Sequence, residues 1–364
     1  MMVDVKNISI VGSGNIGTHF AVMCARKGYR VTVCSSKPSR CSDEMCVYDA
    51  DTGFEYTGKI AKITNSIKDA IEDCDLVFIT HPAYMFKEDA DAILPYMKSG
   101  LIICVIPGTG GAEFSFSPCI KKGAVLCGLQ RVPCVARLME YGKKVHVEGK
   151  RAELNLAAIP SDMSVWISSV ISEIFDMPCV ALSNYLCVTM TPSNPILHTT
   201  RLATMFEDYC KGKVYEKNPL FYGEWTDKSS ERLLSCDSEH QKILGALKRM
   251  DLSSVKSLVV HYDNSNTPEK MTWKITSIKS LHDLPSPMKK VEGGWIPDFD
   301  SRYFTADFPY GLAIIEEFAR ITEVDVPNMN KTMDWYRRVT GDNSRLELSE
   351  FGINSGEDIY RFYT

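Results

Sequence analysis

Three glycines near the start of the chain have the spacing of a dinucleotide-binding turn. The apolar run Ile8–Val11 leads directly into the hexapeptide Gly12, Ser13, Gly14, Asn15, Ile16 and Gly17. In this GxGxxG pattern the first glycine makes a tight turn, the second admits the pyrophosphate, and the third allows a helix to pack closely on the strand. The start of that helix adds free N–H groups and a partial positive charge. The hexapeptide therefore predicts that these six residues bind NAD(P).

The residues after the second predicted strand bear on which nicotinamide dinucleotide is preferred. An acidic residue in this place would hold the 2′-hydroxyl of the NAD ribose. This chain has two hydroxyls and two cations there, and no carboxylate before Asp43; the four are Ser35, Ser36, Lys37 and Arg40. Lys and Arg form charge-assisted hydrogen bonds with phosphate. We therefore expect NADPH to be preferred, with NAD possible; the alternative is that the two cations are solvated loop charges.

Other polar residues stand where helices or strands are expected to begin or end. His81 and Pro82 follow a buried strand, so they are expected at the carboxyl edge of the sheet beside the cofactor, although His81 alone also fits a simple turn. Asn194 and Pro195 are suited to the first positions of a helix. That helix would carry His198 in its first turn and Arg201 one turn later. Further on, Arg302 and Asp307 are five residues apart, which does not stack them on a helix face, so both are expected in a loop.

The first half of the chain alternates short apolar runs with helical patterns. Apolar runs bounded by Gly or Pro are typical of strands buried on both faces of a parallel sheet. The predicted strands are 7–11, 30–34, 59–64, 75–80, 101–106, 124–127, 144–148, 154–159 and 179–182, with helices at 16–27 and 66–72. Alternation of this kind predicts an α/β Rossmann domain with a doubly wound, mostly parallel sheet over residues 1–185.

The second half of the chain has a different sequence pattern. Prolines separate long helical patterns, which predict helices over residues 196–211, 238–250, 310–322 and 329–340. We therefore expect a mostly α-helical substrate domain over residues 186–364.

Composition excludes several classes of function. The chain has 364 residues and a net charge of −5, which disfavours a nucleic-acid partner because a phosphate backbone requires a basic face. No apolar run is long enough for a membrane span or a signal peptide, so a cytoplasmic location is expected. The 13 cysteines are scattered and are expected to be reduced thiols without a metal site. A homodimer is possible.

Over most of its length the sequence resembles the octopine/nopaline (opine) dehydrogenase family. The resemblance rests on the GxGxxG hexapeptide, on the Pro107–Phe114 segment after the fifth strand, on Asn194 and Pro195 followed by His198, and on the Arg302–Gly311 segment. It implies reductive condensation of an amino acid with an α-keto acid such as pyruvate, through an imine, with NAD(P)H as reductant.

The resemblance also implies roles for individual residues. His198 is expected to be the catalytic acid/base, Asp307 to pair with it, and Arg302 to complete the catalytic group. Histidine suits this role because its charge changes near neutral pH. The product carries two carboxylates, which a guanidinium binds through two hydrogen bonds, so Arg302 and Arg201 are expected to contact substrate.

Two further residues are expected to bind substrate. Cys134 ends a segment at the approximate position of a substrate-contacting stretch of the family. Trp225, with Phe221 and Tyr222, is expected either to line a side-chain pocket or to belong to the core.

Two other functions remain open at the level of sequence. A reductase of free 2-keto acids, similar to the ketopantoate reductases, would share the two-domain plan, but such families use a catalytic lysine that has no counterpart at a helix start here. A non-catalytic NADP(H)-binding sensor would keep the glycine turn and need no His/Asp pair.

Overall fold

Most of the predicted apolar runs become strands in the computed structural model, which describes residues 4–364. The strands are β1 (Asn7–Val11), β2 (Arg30–Cys34), β3 (Glu44–Asp49), β4 (Phe54–Lys59), β5 (Lys62–Thr64), β6 (Leu76–Ile79), β7 (Ile102–Val105), β8 (Val125–Leu129), β9 (Val135–Glu140), β10 (Lys144–Glu148), β11 (Leu154–Ile159), β12 (Cys179–Ala181), β13 (Met288–Val291) and β14 (Gly294–Pro297).

Sixteen α-helices lie among the described residues, besides short 3-10 and π-helical segments. They are α1 (Asn15–Arg26), α2 (Ile67–Ile71), α3 (Phe86–Ile93), α4 (Ala112–Ser115), α5 (Ser117–Lys121), α6 (Ser164–Phe175), α7 (Leu186–Thr189), α8 (Thr199–Met205), α9 (Asp227–Ala246), α10 (Leu258–His261), α11 (Pro268–Thr276), α12 (Lys279–His282), α13 (Arg302–Thr305), α14 (Ala313–Ile321), α15 (Pro327–Thr340) and α16 (Gly356–Tyr363). No helix of residues 4–364 is long and apolar enough to cross a membrane.

The chain divides into two units, and the first ends at Thr189 and also contains Tyr363 and Thr364. Its main sheet has the strand order β12-β11-β8-β7-β6-β1-β2-β5. All neighbouring strands are parallel except β8 and β11, which are antiparallel. Every residue of β6 and β7 is buried, as expected for strands covered on both faces. The predicted Rossmann-type sheet is confirmed.

A second sheet in this unit was not predicted. Its strand order is β4-β3-β10-β9, and β10 pairs in it rather than in the main sheet, to which its sequence assigned it. In β3 the buried residues alternate with partly exposed ones, and β4 is mostly exposed. Continuous apolar runs are typical of strands buried on both faces. β4 and β9 have no such run, whereas β3 contains the run Met45–Tyr48 and was missed.

The second unit, Met190–Phe362, is mostly helical, as predicted, with one two-stranded sheet of β13 and β14. Its longest helix, α9, carries two buried carboxylates that cap other helices. Asp237 accepts from the Leu258 N–H at the start of α10, and Glu239 accepts from the Met329 N–H near the start of α15. The bounds predicted for this helix, 238–250, were wrong because buried polar residues conceal its apolar periodicity.

Candidate functional site

The glycine turn of the first unit is built for close approach of a ligand. Gly12 has a φ of +105°, which only glycine adopts easily, and a side chain there would lie 2.5 Å from the Thr80 hydroxyl. A side chain at Gly17 would overlap the Gly12 carbonyl oxygen, whereas one at Gly14 would meet nothing within 4 Å. Gly12 and Gly17 are thus required by the fold itself. Gly14 leaves open space on its own Cβ side, where a pyrophosphate would come close to the backbone.

The hydroxyls of Ser13 and Ser35 meet under a tyrosine that sequence reasoning did not single out. The two serine oxygens are 2.7 Å apart, and the Tyr141 hydroxyl lies 2.6 Å from Ser13 and 3.1 Å from Ser35. Tyr141 stands in the turn between β9 and β10, so the unpredicted second sheet brings it to the glycine turn. No pattern in the sequence marks this contact.

The two cations predicted to bind a 2′-phosphate lie beside the same tyrosine. The Arg40 guanidinium carbon is 4.9 Å and the Lys37 ammonium 5.9 Å from the centre of the Tyr141 ring. Ser36, Lys37 and Arg40 are exposed, and within residues 4–364 neither cation forms a salt bridge. The cluster therefore combines hydroxyls with two positive charges that no carboxylate neutralises, which suits an anion.

The remaining residues predicted at the cofactor site fall on both sides of the turn. Asn15 begins α1, and its side-chain oxygen accepts from the Leu138 N–H at 2.9 Å, which ties the helix start to β9. Ile16 packs on the core. Pro82 starts the 3-10 turn after β6. His81 lies next to Gly12, and its Nδ1 is 2.9 Å from the buried carboxylate of Asp89, a partner that the sequence did not indicate.

In the second unit, two π-helical segments meet where the family motifs stand. They are Ser193–His198 and Phe308–Leu312, and each contains a proline, which has no N–H to give to a regular helix. A side chain at Gly311 would lie 3.2 Å from the Pro195 ring, so glycine permits this close approach. The predicted α-helix start at Asn194 was wrong: the π segment continues through His198, and α8 begins at Thr199.

The approach of the two segments brings His198 and Asp307 into direct contact. The His198 Nδ1 is 2.7 Å from a carboxylate oxygen of Asp307. Because the carboxylate accepts, this ring nitrogen carries the hydrogen and the tautomer is defined. The histidine side chain is 7% exposed and that of Asp307 16%. The contact that the family resemblance implied is present.

The other ring nitrogen of His198 is also occupied. Its Nε2 lies 2.9 Å from the hydroxyl of Tyr222, and the rings of Phe221 and Tyr303 pack around the imidazole. Burial raises the pKa of the Tyr222 phenol well above its usual value, so it is a neutral O–H. The sequence had indicated Tyr222 only as a pocket-lining or core residue.

Arg302 begins α13, which precedes Asp307 in the chain. Its guanidinium carbon is 6.0 Å from the centre of the Tyr303 ring, which itself packs on His198. Arg302 is exposed, and no carboxylate of residues 4–364 pairs with it. The guanidinium N–H groups are thus available to a ligand, beside the tyrosine ring that packs on His198.

Arg201 and Trp225 were expected to contact substrate. Both instead form hydrogen bonds and ring contacts within the second unit. Arg201 is 3% exposed, and it donates to the carbonyls of Phe221 and Glu224 and to the Ser229 hydroxyl. Burial lowers the pKa of its guanidinium to about 10. Trp225 is buried, donates to Ser230 and stacks on Tyr222. The expectation for both is corrected to support of the Tyr222 segment, because their polar groups are already satisfied.

Cys134, also expected at the substrate, lies in the core of the first unit. It is buried, its sulfur is 3.6 Å from Nδ1 of buried His19, and burial raises the pKa of the thiol to about 12. The structure therefore gives it a packing role. Among residues 4–364 no group of three His, Cys, Asp or Glu side chains is placed to hold a metal ion.

Comparison with known proteins connects the two units to different families. Residues 181–340 match the family described as NAD/NADP octopine/nopaline dehydrogenase, alpha-helical domain, and residues 8–160 match the ketopantoate reductase family PanE/ApbA. Octopine dehydrogenase of Mizuhopecten yessoensis is 27% identical over 85% of this chain and 79% of its own. Tauropine dehydrogenase of Arabella iricolor is 23% identical over 82% and 78%. A solved octopine dehydrogenase with NADH and L-arginine superposes with a TM-score of 0.83 at 23% identity, over 97% of both chains.

Proposed function

The chain belongs to the octopine and opine dehydrogenase family, and we propose that it joins an amino acid to an α-keto acid such as pyruvate with NADPH as the preferred reductant. It is an NAD(P)-dependent oxidoreductase that acts on a CH–NH bond. The amine adds to the keto carbon, the carbinolamine loses water to give an imine, and reduction yields a secondary amine with two carboxylates. The reverse reaction oxidises that amine.

The observation that carries the proposal is the 2.7 Å contact of His198 with Asp307 in the unit that matches the octopine dehydrogenase helical domain. Loss of water from the carbinolamine needs an acid, and addition of the amine needs a base. A histidine whose tautomer is held by a carboxylate is suited to both. We assign His198 as the acid/base and Asp307 as the residue that orients it.

Arg302 is assigned to a substrate carboxylate. It is exposed and free of ion pairs within residues 4–364, and its guanidinium carbon lies 6.0 Å from the centre of the Tyr303 ring, which packs on His198. A planar guanidinium binds a carboxylate through two parallel hydrogen bonds. Such a contact would hold the keto acid with its carbonyl carbon near the acid/base.

The residues of the glycine turn fit a dinucleotide, because Gly14 leaves its Cβ side open while Gly12 and Gly17 keep strand and helix close. We assign Gly12–Gly17 to the pyrophosphate, and Ser35, Ser36, Lys37 and Arg40 to the 2′-phosphate, with Tyr141 as an added contact. The bound cofactor supplies the hydride that reduces the imine. His81 and Pro82 remain assigned to the cofactor side of the turn.

The family match that favours the rival keto-acid reductase ends at residue 160. We place the substrate chemistry on the second unit. Its residues His198, Asp307 and Tyr222 lie in the stretch that matches the octopine/nopaline dehydrogenase helical domain.

We propose a cytoplasmic location on the basis of the thiols. None of the 13 cysteines, all of which lie within residues 4–364, is joined in a disulfide, and Cys210 is exposed. Free thiols persist in a reducing compartment.

The test is NADPH oxidation by the purified chain with pyruvate, first alone and then with each amino acid. We expect turnover only when an amine is present, and His198→Gln is expected to lower kcat by roughly 100-fold or more, because a general acid/base typically contributes that much. His146→Gln is the control, since this half-buried histidine of β10 packs on Tyr48 in the first unit.

Two outcomes would contradict the proposal. Turnover with the keto acid alone, unchanged by amines, would favour the simple reductase. Full activity of His198→Gln would remove the acid/base assignment.

A further inference from the structure

The acid/base histidine has no ring nitrogen left for a substrate. Asp307 holds Nδ1 at 2.7 Å, and the Tyr222 hydroxyl covers Nε2 at 2.9 Å. Phe221 and Tyr303 pack against the ring. A substrate atom that exchanges a proton with His198 must therefore do so through the tyrosine hydroxyl or displace it.

The direction of the His198–Tyr222 hydrogen bond depends on the charge of the histidine. With Nδ1–H donated to Asp307, a neutral imidazole has a lone pair on Nε2, and the Tyr222 O–H must donate to it. When the ring is protonated, Nε2–H donates to the Tyr222 oxygen instead. The phenol hydrogen is then released and can be donated to a third group.

This inference rests on the proposed function: we propose that Tyr222 is the catalytic residue that touches the substrate, and that His198 delivers and withdraws its proton from behind. In the dehydration step the Tyr222 proton passes to the hydroxyl of the carbinolamine. The C–O bond breaks, its electron pair leaves with the oxygen as water, and the nitrogen lone pair forms the C=N bond. The His198 Nε2 proton moves to Tyr222 in the same step.

The step is balanced in atoms and charge. Tyr222 is a neutral phenol before and after it. The positive charge of the imidazolium is transferred to the iminium, and one water leaves. In the reverse direction, water adds to the iminium while Tyr222 takes its proton and passes its own to His198.

The surroundings of Tyr222 suit a relay rather than an independent acid. Burial raises the pKa of its phenol, Tyr303, Tyr262 and Asp307 act in the same direction, and Arg302 opposes them. A free phenolate is thus disfavoured, so the hydroxyl can give up its proton only as it receives another. The ring is fixed by stacking on Trp225 at an interplanar angle of 17°.

Trp225 and Arg201 lie behind the Tyr222 ring and hold it in place without contacting substrate. Arg201 lies under Trp225, with its guanidinium carbon 5.3 Å from the indole centre. It also donates to the carbonyls of Phe221 and Glu224, on either side of Tyr222. Arg201 is therefore a positioning residue for the relay.

The test combines Tyr222→Phe with measurements of proton transfer. The variant keeps the ring and its stacking but removes the relayed hydrogen, so we expect the single-turnover rate with NADPH, keto acid and amine to fall roughly 100-fold or more. Cofactor affinity and the KM of the keto acid should be nearly unchanged. Tyr209→Phe is the matched control, because Tyr209 is a buried tyrosine of the same unit that packs on Tyr215 and Phe299.

A second readout separates a relay from a structural role and needs no variant. In mixtures of H₂O and D₂O, transfer of two protons in one step gives the wild-type rate a curved dependence on deuterium fraction. Tyr222→Phe should give a linear one. A linear wild-type dependence, or a Tyr222→Phe rate close to that of Tyr209→Phe, would overturn the relay while leaving His198 as acid/base. Absence of amine-dependent turnover in the wild type would instead overturn the proposed function, and the relay with it.

Discussion

At the scale of single residues, the least expected group is a carboxylate buried within the Pro107–Phe114 segment. Glu113 is fully buried, and one oxygen accepts from the hydroxyls of Thr189 and Tyr363. Its other oxygen has no hydrogen-bond partner among the described residues. Burial raises the pKa of Glu113 to about 7 despite those two bonds. This group makes the stability of the first unit depend on pH.

The sign of the dependence follows from the two states. The carboxyl has a pKa near 4.5 when unfolded and about 7 when folded, so between these values the unfolded chain releases the proton first. Stability is therefore lost as pH rises from about 5 to 7, by roughly 3 kcal/mol. The Glu113→Gln side chain cannot ionise. In urea unfolding, the stability of the variant relative to the wild type should therefore increase between pH 5 and pH 8. An equal difference at both pH values would contradict this account.

The cation pair beside Tyr141 leads to a prediction about cofactor choice. Arg40→Ala and Lys37→Ala should each lower kcat/KM for NADPH by about tenfold or more, since a hydrogen bond to a charged group contributes about 1.5–3 kcal/mol. The value for NADH should barely change, because it has no 2′-phosphate. Steady-state kinetics give kcat/KM for both cofactors. An equal loss of kcat/KM with NADH would rule out a contact with the 2′-phosphate.

Sequence reasoning reached some of these residues and not others. His198 and Asp307 stand in motifs, so their contact was expected although they are far apart in the chain. Tyr222, Tyr141 and Asp89 stand in no motif, and their contacts depend on how distant segments pack. Arg201 and Trp225 have the right chemistry for substrate binding, but nothing in their types indicates that other residues already satisfy them.

At the scale of elements, the two π-helical segments show how proline shapes the second unit. Pro195 and Pro309 each remove a donor from a helix, and each segment then continues into a regular helix, α8 or α14. The helical periodicity of residues 310–322 predicted α14, which begins at Ala313. Periodicity does not distinguish a π turn from an α turn at a helix start, and it is this turn that places His198 and Asp307.

The strand-turn-helix of the glycine motif was predicted closely, and its glycines lead to contrasting expectations. Gly17→Ala should destabilise the protein, because the new methyl overlaps the Gly12 carbonyl. Gly14→Ala meets no atom within 4 Å, so its thermal midpoint should stay near that of the wild type while its Kd for NADPH rises. Thermal unfolding and cofactor fluorescence measure the two effects. A Gly14→Ala protein with normal affinity would argue against pyrophosphate at this turn.

At the scale of the whole molecule, the residues proposed to bind the cofactor and those proposed for acid/base chemistry lie in different units with different family matches. The α/β alternation predicted the Rossmann-type sheet, and the helical patterns predicted the mostly helical second unit. The second sheet was not predicted, because β4 and β9 lack a continuous apolar run and the pairing of β3 with β10 depends on how distant segments pack. The return of Tyr363 and Thr364 to the first unit had no signal in the sequence, since a single tyrosine at a chain end is unremarkable by type.

Removal of these two residues should weaken the first unit. Tyr363 is 4% exposed and donates to Glu113 at 2.6 Å, so its loss leaves a cavity and a carboxylate with one hydroxyl partner fewer. Truncation after Phe362 should cost on the order of 3 kcal/mol, as for deletion of a buried aromatic ring. Hydrogen exchange in the truncated protein, compared with the full chain, should accelerate more in α4 and α7 than in α9, which would place the loss of stability in the first unit. Equal acceleration in α9 would contradict it.

The return of the chain end also sets an order of events during synthesis. Strands and helices up to Thr189 leave the ribosome early, but the Tyr363 hydroxyl that donates to Glu113 arrives only after the second unit. Until then the buried carboxylate of the first unit lacks a partner that it has in the finished protein. The first unit therefore reaches its final stability only after the second unit has been made, and a nascent chain arrested before Tyr363 is expected to be more sensitive to proteases in the first unit than a chain that contains this residue.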